Sequence, residues 1–373
     1  MVLGTILTAG ASVTASLFFV HVAVLPLVFK YSKFIQRKIV FSNCVNYPRD
    51  PDYENPSRCN VIGGRNFQVE FHSLAADRLV KIGAWQMIPY SLCRVDCRSR
   101  CDTNIKKQCC SVQSLQQTRN PIVLYCHGNS NHRGSPHRLL MYQVFQNLNF
   151  HVIAFDYRGY GDSTYIRPTE DGVVEDAFHM YLWIMENVKQ NSPKVLIWGH
   201  SLGTAVASNL VANLEKLCER FKKKLLPLPY ALVLEAAFNN LCEEIEQHPL
   251  SKLVSWLPYY KDTFLKPFMD SSEFAFRTDQ HLKMVPEVPI LLIHAKGDKI
   301  VPYELAIKLH RDIQESRLEG GAPIMLHPFS RGQGLGHNNI CEAESLPQVV
   351  SKFMDVVDNY NSNKEVLRCK VVL

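Results

Sequence analysis

Residues 194–207, Lys-Val-Leu-Ile-Trp-Gly-His-Ser-Leu-Gly-Thr-Ala-Val-Ala, leave this chain few ways to fold. Residues 195–198 are a short apolar run of the kind that makes a buried parallel strand. Gly-His-Ser-Leu-Gly follows at 199–203. Apolar residues at helical spacing then continue through Ala205, Val206, Leu210, Val211 and Leu214. A strand, G-x-S-x-G and a helix in succession make a sharp turn with the serine at its tip. A bare five-residue match arises by chance, so the flanking elements are what identify Ser201 as a nucleophile. Gly199 and Gly203 flank a strained residue, where larger side chains would clash with the neighbouring strand and helix. The Leu202 amide, at the start of the helix, is one expected oxyanion donor.

Two other loops complete that chemistry. The strand at 121–126 runs into His127-Gly128-Asn129-Ser130, where the Asn129 amide is expected to be the second oxyanion donor. The strand at 289–294 runs into a loop containing Asp298. A carboxylate there can hold the tautomer of a histidine. The last strand, 324–328, is followed by a glycine-rich, flexible-looking loop ending in His337. The order Ser201, Asp298, His337 is the one this architecture requires. The alternative for Asp298 is simply to cap the helix beginning at Pro302. Asp162, in Asp156-Tyr157-Arg158-Gly159-Tyr160-Gly161-Asp162-Ser163, reads as a turn or cap residue. His151 and Asp156 match H-x4-D, but strand alternation puts them on opposite faces of a sheet.

Strands at 68–74 and 79–88 predict a leading hairpin. Helices are predicted at 136–148, 170–188 and 345–356. The alternation implies an α/β fold, a mostly parallel sheet of about eight strands with its site at the strand carboxyl ends. Residues 238–288 form a long segment rich in aromatics and broken at Pro249, Pro258 and Pro267. Inserted there, they would form a cap over Ser201, lining an acyl pocket or merely packing on the sheet.

Residues 2–29 contain no charged side chain, and that length suffices to cross a bilayer. They predict an anchor rather than a cleaved signal, with His21 an uncharged passenger and not a proton relay. Residues 30–67 read as a linker and 68–360 as the α/β domain that carries Ser201. The net charge of +6 comes without a Lys/Arg tract interleaved with aromatics, which argues against nucleic acid as a partner. Lys222-Lys223-Lys224 reads as a solvated run. Twelve cysteines permit full pairing without requiring it. Five of them, Cys93, Cys97, Cys101, Cys109 and Cys110, lack the C-x2-C spacing of a zinc site, so disulfides within an exposed loop are expected rather than a metal, with free thiols the alternative, and no cofactor is expected. Cys126 and Cys218 are expected to be small buried thiols.

The motifs HGN at 127–129, DYRGYGDS at 156–163, WGHSLGT at 198–204, Leu234-Glu235 and DKIVP at 298–302 resemble those of the membrane-anchored α/β-hydrolase-domain lipases. The resemblance runs from about Ile82 to Met354. It implies hydrolysis of monoacylglycerols and lysophosphatidylserine, with lipid and membrane as partners and the same Ser201, Asp298, His337 assignment. The cysteine-rich stretch and the glycine-rich approach to His337 depart from that group. The family implies a domain in the lumen of the endoplasmic reticulum or outside the cell. The cysteine cluster agrees, whereas the basic flank from Lys30 to Lys38 argues for the cytoplasm; the lumen is the expectation. A thioesterase or a non-catalytic binding protein of the same fold are the alternatives.

Overall fold

The computed structural model describes residues 12–93, 113–189, 193–269, 271–318 and 320–371. Cys97, Cys101, Cys109 and Cys110 lie outside the described residues. The described residues open with helix α1, Ser12–Tyr31, which has a mean hydropathy of 2.1 and is long and apolar enough to cross a membrane. Helix α2, Lys33–Val40, follows at once, its N-terminus capped by Ser32, which accepts from the Ile35 amide. Val40 and Phe41 are buried, so this end of the expected linker packs onto the body of the protein.

Eight strands form one sheet. They are β1 (Gly64–Ser73), β2 (Arg78–Met87), β3 (Ile122–Cys126), β4 (His151–Phe155), β5 (Val195–His200), β6 (Ala231–Glu235), β7 (Ile290–Ala295) and β8 (Ile324–Phe329). Their spatial order is β1-β2-β4-β3-β5-β6-β7-β8. β2 pairs antiparallel with β1 and β4, and every later pairing is parallel. Parallel neighbours need crossovers. These are supplied by helices α3 (Pro136–Asn147), α4 (Glu170–Asn187) and α5 (Leu202–Ala212), the segment after β6, and helix α7 (Tyr303–Gln314). Helix α8, Leu346–Val371, is the last described element and runs well past the expected end at 356. Residues 357–371 contain neither proline nor glycine to stop it.

Strand alternation splits the core in two. Ile122, Leu124, Cys126 and Ile197 face α4, α5 and α7, whereas Val123, Tyr125, Leu196 and Trp198 face α3 and α8. Strand order reverses at β3, which has β4 on one side and β5 on the other. Open α/β sheets place their crevices at such a reversal. The register Cys126↔Gly199 there sets the loop after β3 against the turn after β5.

The loop after β4 is held by buried ion pairs. Arg133 Nη1 donates to Asp156 at 2.5 Å and to Asp162 at 2.6 Å, and Arg158 Nη2 donates to Asp176 at 2.8 Å. Asp162 lies in a turn as expected, but what fixes it is Arg133. Among the described cysteines, Cys126 and Cys218 are buried free thiols, and Cys44, Cys59, Cys242 and Cys341 are also free. Lys222, Lys223 and Lys224 are exposed.

Between β6 and β7 lie helix α6 (Leu241–Gln247), a tight turn at Pro249–Leu253, a wide turn at Lys261–Leu265 and short helices at Lys266–Met269 and Thr278–Lys283. Pro249 marks a break as expected. Pro267 does not, because the wide turn before it lets the helical path continue past a residue that cannot donate.

Candidate active site

Ser201 sits between β5 and α5 with φ 53° and ψ −120°, a strained backbone for any residue with a side chain. Two glycines permit it. A Cβ on Gly199 would strike the Gly203 carbonyl, and one on Gly203 would strike the Cys126 carbonyl. The turn is also pinned by hydrogen bonds. The Ser201 amide donates to the Glu235 carbonyl at 2.9 Å, and Thr204 donates to the Ser201 carbonyl from its amide at 2.9 Å and its hydroxyl at 2.7 Å.

The loops after β7 and β8 bring the other two predicted side chains to the serine. His337 Nε2 lies 3.0 Å from Ser201 Oγ, and His337 Nδ1 lies 2.7 Å from Asp298 Oδ2. An ionised carboxylate only accepts, so Nδ1 carries the proton and Nε2 is left to accept from the serine hydroxyl. Asp298 Oδ1 accepts from the amides of Ile300 at 2.8 Å and Val301 at 3.0 Å. The carboxylate therefore orders its own loop and orients the imidazole together. Burial raises the Asp298 pKa, but the hydrogen bond and positive charge of His337 outweigh it, and the carboxyl lies below its ordinary range.

The glycine-rich approach to His337 is an ordered turn rather than a flexible loop. Ser330 and Gln333 cap one another across a short helical turn, Gly334 takes φ 68°, and Leu335 is buried. The Gly336 amide donates to Asn339 at 2.6 Å, and His200 Nε2 donates to the His337 carbonyl at 2.9 Å. The residue before Ser201 thus holds the backbone of His337. Burial, then the charge of His337, pushes the His200 pKa down to about 3, which keeps that ring neutral.

Asn129 and Leu202 border the same cavity as Ser201 and His337, while Asp298 lies behind the imidazole, out of contact with solvent. The Leu202 amide is the first of α5, where helix N–H groups lack intrahelical acceptors. Tyr160 Oη donates to the Asn129 carbonyl at 2.8 Å. Arg138 donates to the carbonyls of Ser130 at 2.6 Å and His132 at 2.8 Å, so a buried guanidinium shapes the loop after β3. Tyr160 lies within the DYRGYGDS stretch, whereas no motif marks Arg138. Arg138 was still findable, because it shares a helical face with Met141, Tyr142 and Phe145, and a cation on a buried face needs a reason.

The cavity holds about 350 Å³. Phe238, Leu241, Ile245, Val254, Phe264 and Phe268 give it apolar walls, and Phe29, Ile39 and Val40 add a side from α1 and α2. Glu244 is its acidic lining residue, and burial followed by the charge of Asp298 pushes that carboxyl up to about 7. Such a site offers a hydroxyl hydrogen-bonded to an imidazole whose other nitrogen is held by a carboxylate, beside an apolar chamber.

Glu235, the last residue of β6, was findable as an acid closing a buried strand. Its carboxylate accepts from Trp198 Nε1 at 2.9 Å, and burial pushes its pKa up to about 7 despite that bond. Its folded pKa is above its unfolded one. The stability that it contributes is therefore complete below about pH 4.5 and is lost as the pH rises through 7. Glu235→Gln keeps an acceptor for Trp198 and cannot titrate. Urea unfolding at pH 5 and pH 8 should show a smaller loss of stability in the variant, by on the order of 3 kcal/mol. Equal losses in the two proteins would contradict the assignment.

The family model of the α/β-hydrolase fold matches residues 121–221. Lysophosphatidylserine lipase ABHD12 of Danio rerio is 34% identical over 336 residues, covering 90% of this chain and 81% of the relative. The Bos taurus protein of that name is 35% identical over 341 residues, covering 91% and 79%. Protein ABHD12B of Homo sapiens is 33% identical over 279 residues, covering 74% and 69%. Among solved structures, an α/β hydrolase of Vibrio vulnificus superposes with a TM-score of 0.57 at 16% identity, covering 85% of this chain and 92% of its own. An esterase of Pyrococcus furiosus gives 0.53 at 17% identity, covering 83% and 96%. At those identities the solved structures speak for the fold alone. The chain belongs to the family of α/β hydrolases that contains lysophosphatidylserine lipase ABHD12.

Proposed function

We propose that this protein is a membrane-anchored serine hydrolase that cleaves the acyl ester of lysophosphatidylserine-like lysophospholipids and monoacylglycerols. The observation that carries this reading is the unbroken hydrogen-bonded chain from Ser201 through His337 to Asp298 at the floor of an apolar cavity. His337 takes the proton as Ser201 Oγ attacks the ester carbonyl. The amides of Asn129 and Leu202 receive the negative charge that develops on the carbonyl oxygen. Asp298 steadies the imidazolium, which then protonates the departing alcohol. Water, activated by the same histidine, releases the fatty acid. Residues 238–288 are the cap, and the acyl chain lies among their aromatic side chains. The names of the relatives support a lysophospholipid substrate.

The test is fatty-acid release by wild type and Ser201→Ala from lysophosphatidylserine, monoacylglycerol and an acyl thioester. Release from at least one of the lipids should fall by about 10³-fold or more in the variant. Release from the thioester alone, or equal release by both proteins, would contradict the reading.

The same reading makes the protein single-pass and puts its catalytic domain in the lumen of the endoplasmic reticulum, supported by the cysteine-rich stretch from 93 to 110. In sealed microsomes the domain should resist added protease until detergent is present. Digestion without detergent would place it in the cytoplasm, as the basic residues after α1 would have it.

A further inference from the structure

The proposal concerns where the bilayer surface lies on this molecule, and it rests on the reading of α1 as a membrane anchor. Along α1, four residues hold the segment between β6 and β7. Phe18 stacks on Trp256 with ring centroids 6.4 Å apart, and His21 stacks on the same indole at 6.1 Å. His21 Nε2 donates to the Leu253 carbonyl at 3.0 Å. Pro26 has no N–H to give the Val22 carbonyl one turn back, and the Tyr259 hydroxyl donates to that carbonyl instead. Higher up, Phe29 packs on Phe264 at 4.8 Å and lines the cavity.

Those contacts fix a depth. Phe18 precedes Tyr31 by 13 residues, or about 20 Å along a helix. A bilayer surface at Lys30 would sink Trp256, together with the exposed Lys252 and Lys261, deep into hydrocarbon. Irregular backbone and lysines are not tolerated there against lipid. A surface at His21 removes the conflict. The uncharged residues 2–20 are then left for the crossing, a number within the ~17–25 that a bilayer needs.

We propose that Leu253 and Trp256 form a second membrane contact. They dock into the interface of the same bilayer at the level of His21, while the remainder of α1 rises beside the cavity as its wall. Leu253 is 62% exposed and Trp256 56% exposed, although both are large apolar side chains. They adjoin the anchor directly, and Lys252 beside them suits the headgroup layer, as does an indole. The acyl chain of a lipid in that leaflet then reaches the cavity along Phe29 without crossing water.

The test uses the full chain in phosphatidylcholine–phosphatidylserine vesicles, with and without phosphatidylcholine brominated on its upper acyl carbons. Brominated lipid should quench a part of the tryptophan emission that is present in wild type and missing in Trp256→Phe. In parallel, Leu253→Asp should lower hydrolysis of vesicle-borne monoacylglycerol by roughly tenfold, the worth of one buried leucine. It should leave hydrolysis of a water-soluble short-chain ester within about twofold, as expected of an exposed residue. Flotation with vesicles but no Trp256-dependent quenching would overturn the docking and leave the anchor standing. Failure to float at all would overturn both.

Discussion

The close approach of two backbones at the β5–α5 turn is the constraint on which the cavity depends. Gly199 lies against Gly203, and Gly203 against the Cys126 carbonyl, so strand, turn and the neighbouring strand close to a distance that no side chain could share. That contact is what permits Ser201 its positive φ. Strain of this kind costs on the order of 1–3 kcal/mol and persists only where the surroundings over-determine it. Here they do, through the Glu235 and Thr204 hydrogen bonds on either side and through β5 at the centre of the sheet. The serine hydroxyl then stands above the strand ends, where the loops after β7 and β8 can meet it.

Charge is managed by burial with partners. Arg133 and Arg158 are almost wholly buried, and each meets two carboxylates, so the loop after β4 keeps one shape at the cost of desolvating them. Arg138 meets carbonyls instead. Its positive charge adds to burial in lowering the pKa of His200 and of His137, the latter to about 2, so these imidazoles beside the cavity are neutral. The ring in hydrogen-bond reach of Ser201 Oγ is His337, with Nε2 at 3.0 Å.

Most of this was legible in the residues, for physical reasons. Unbroken apolar runs in β3, β5, β6 and β7 and helical spacing in α4 and α5 are local signals, and the loops that follow the strands inherit their position from them. Ser201, Asp298 and His337 could be marked because each leaves a strand carboxyl end in the required order. What stayed hidden is tertiary. The His200 bond to the His337 carbonyl joins residues 137 apart, and no spacing rule reports it. The glycine-rich stretch before His337 reads as loose by composition but is tied down by Leu335, Asn339 and His200. The end of α1 as a cavity wall was equally invisible, because an apolar run long enough to span a bilayer does not reveal which of its faces meets protein.

The most direct measurement for the central claim is the site of covalent modification by a fluorophosphonate, which captures an activated serine. The full-length protein is labelled in membranes, digested and mapped by mass spectrometry. One adduct on the peptide containing Ser201 is the expected result, with none when His337 is replaced by alanine. An adduct on another serine, or one on Ser201 that forms equally well without His337, would contradict the proposed role of this site.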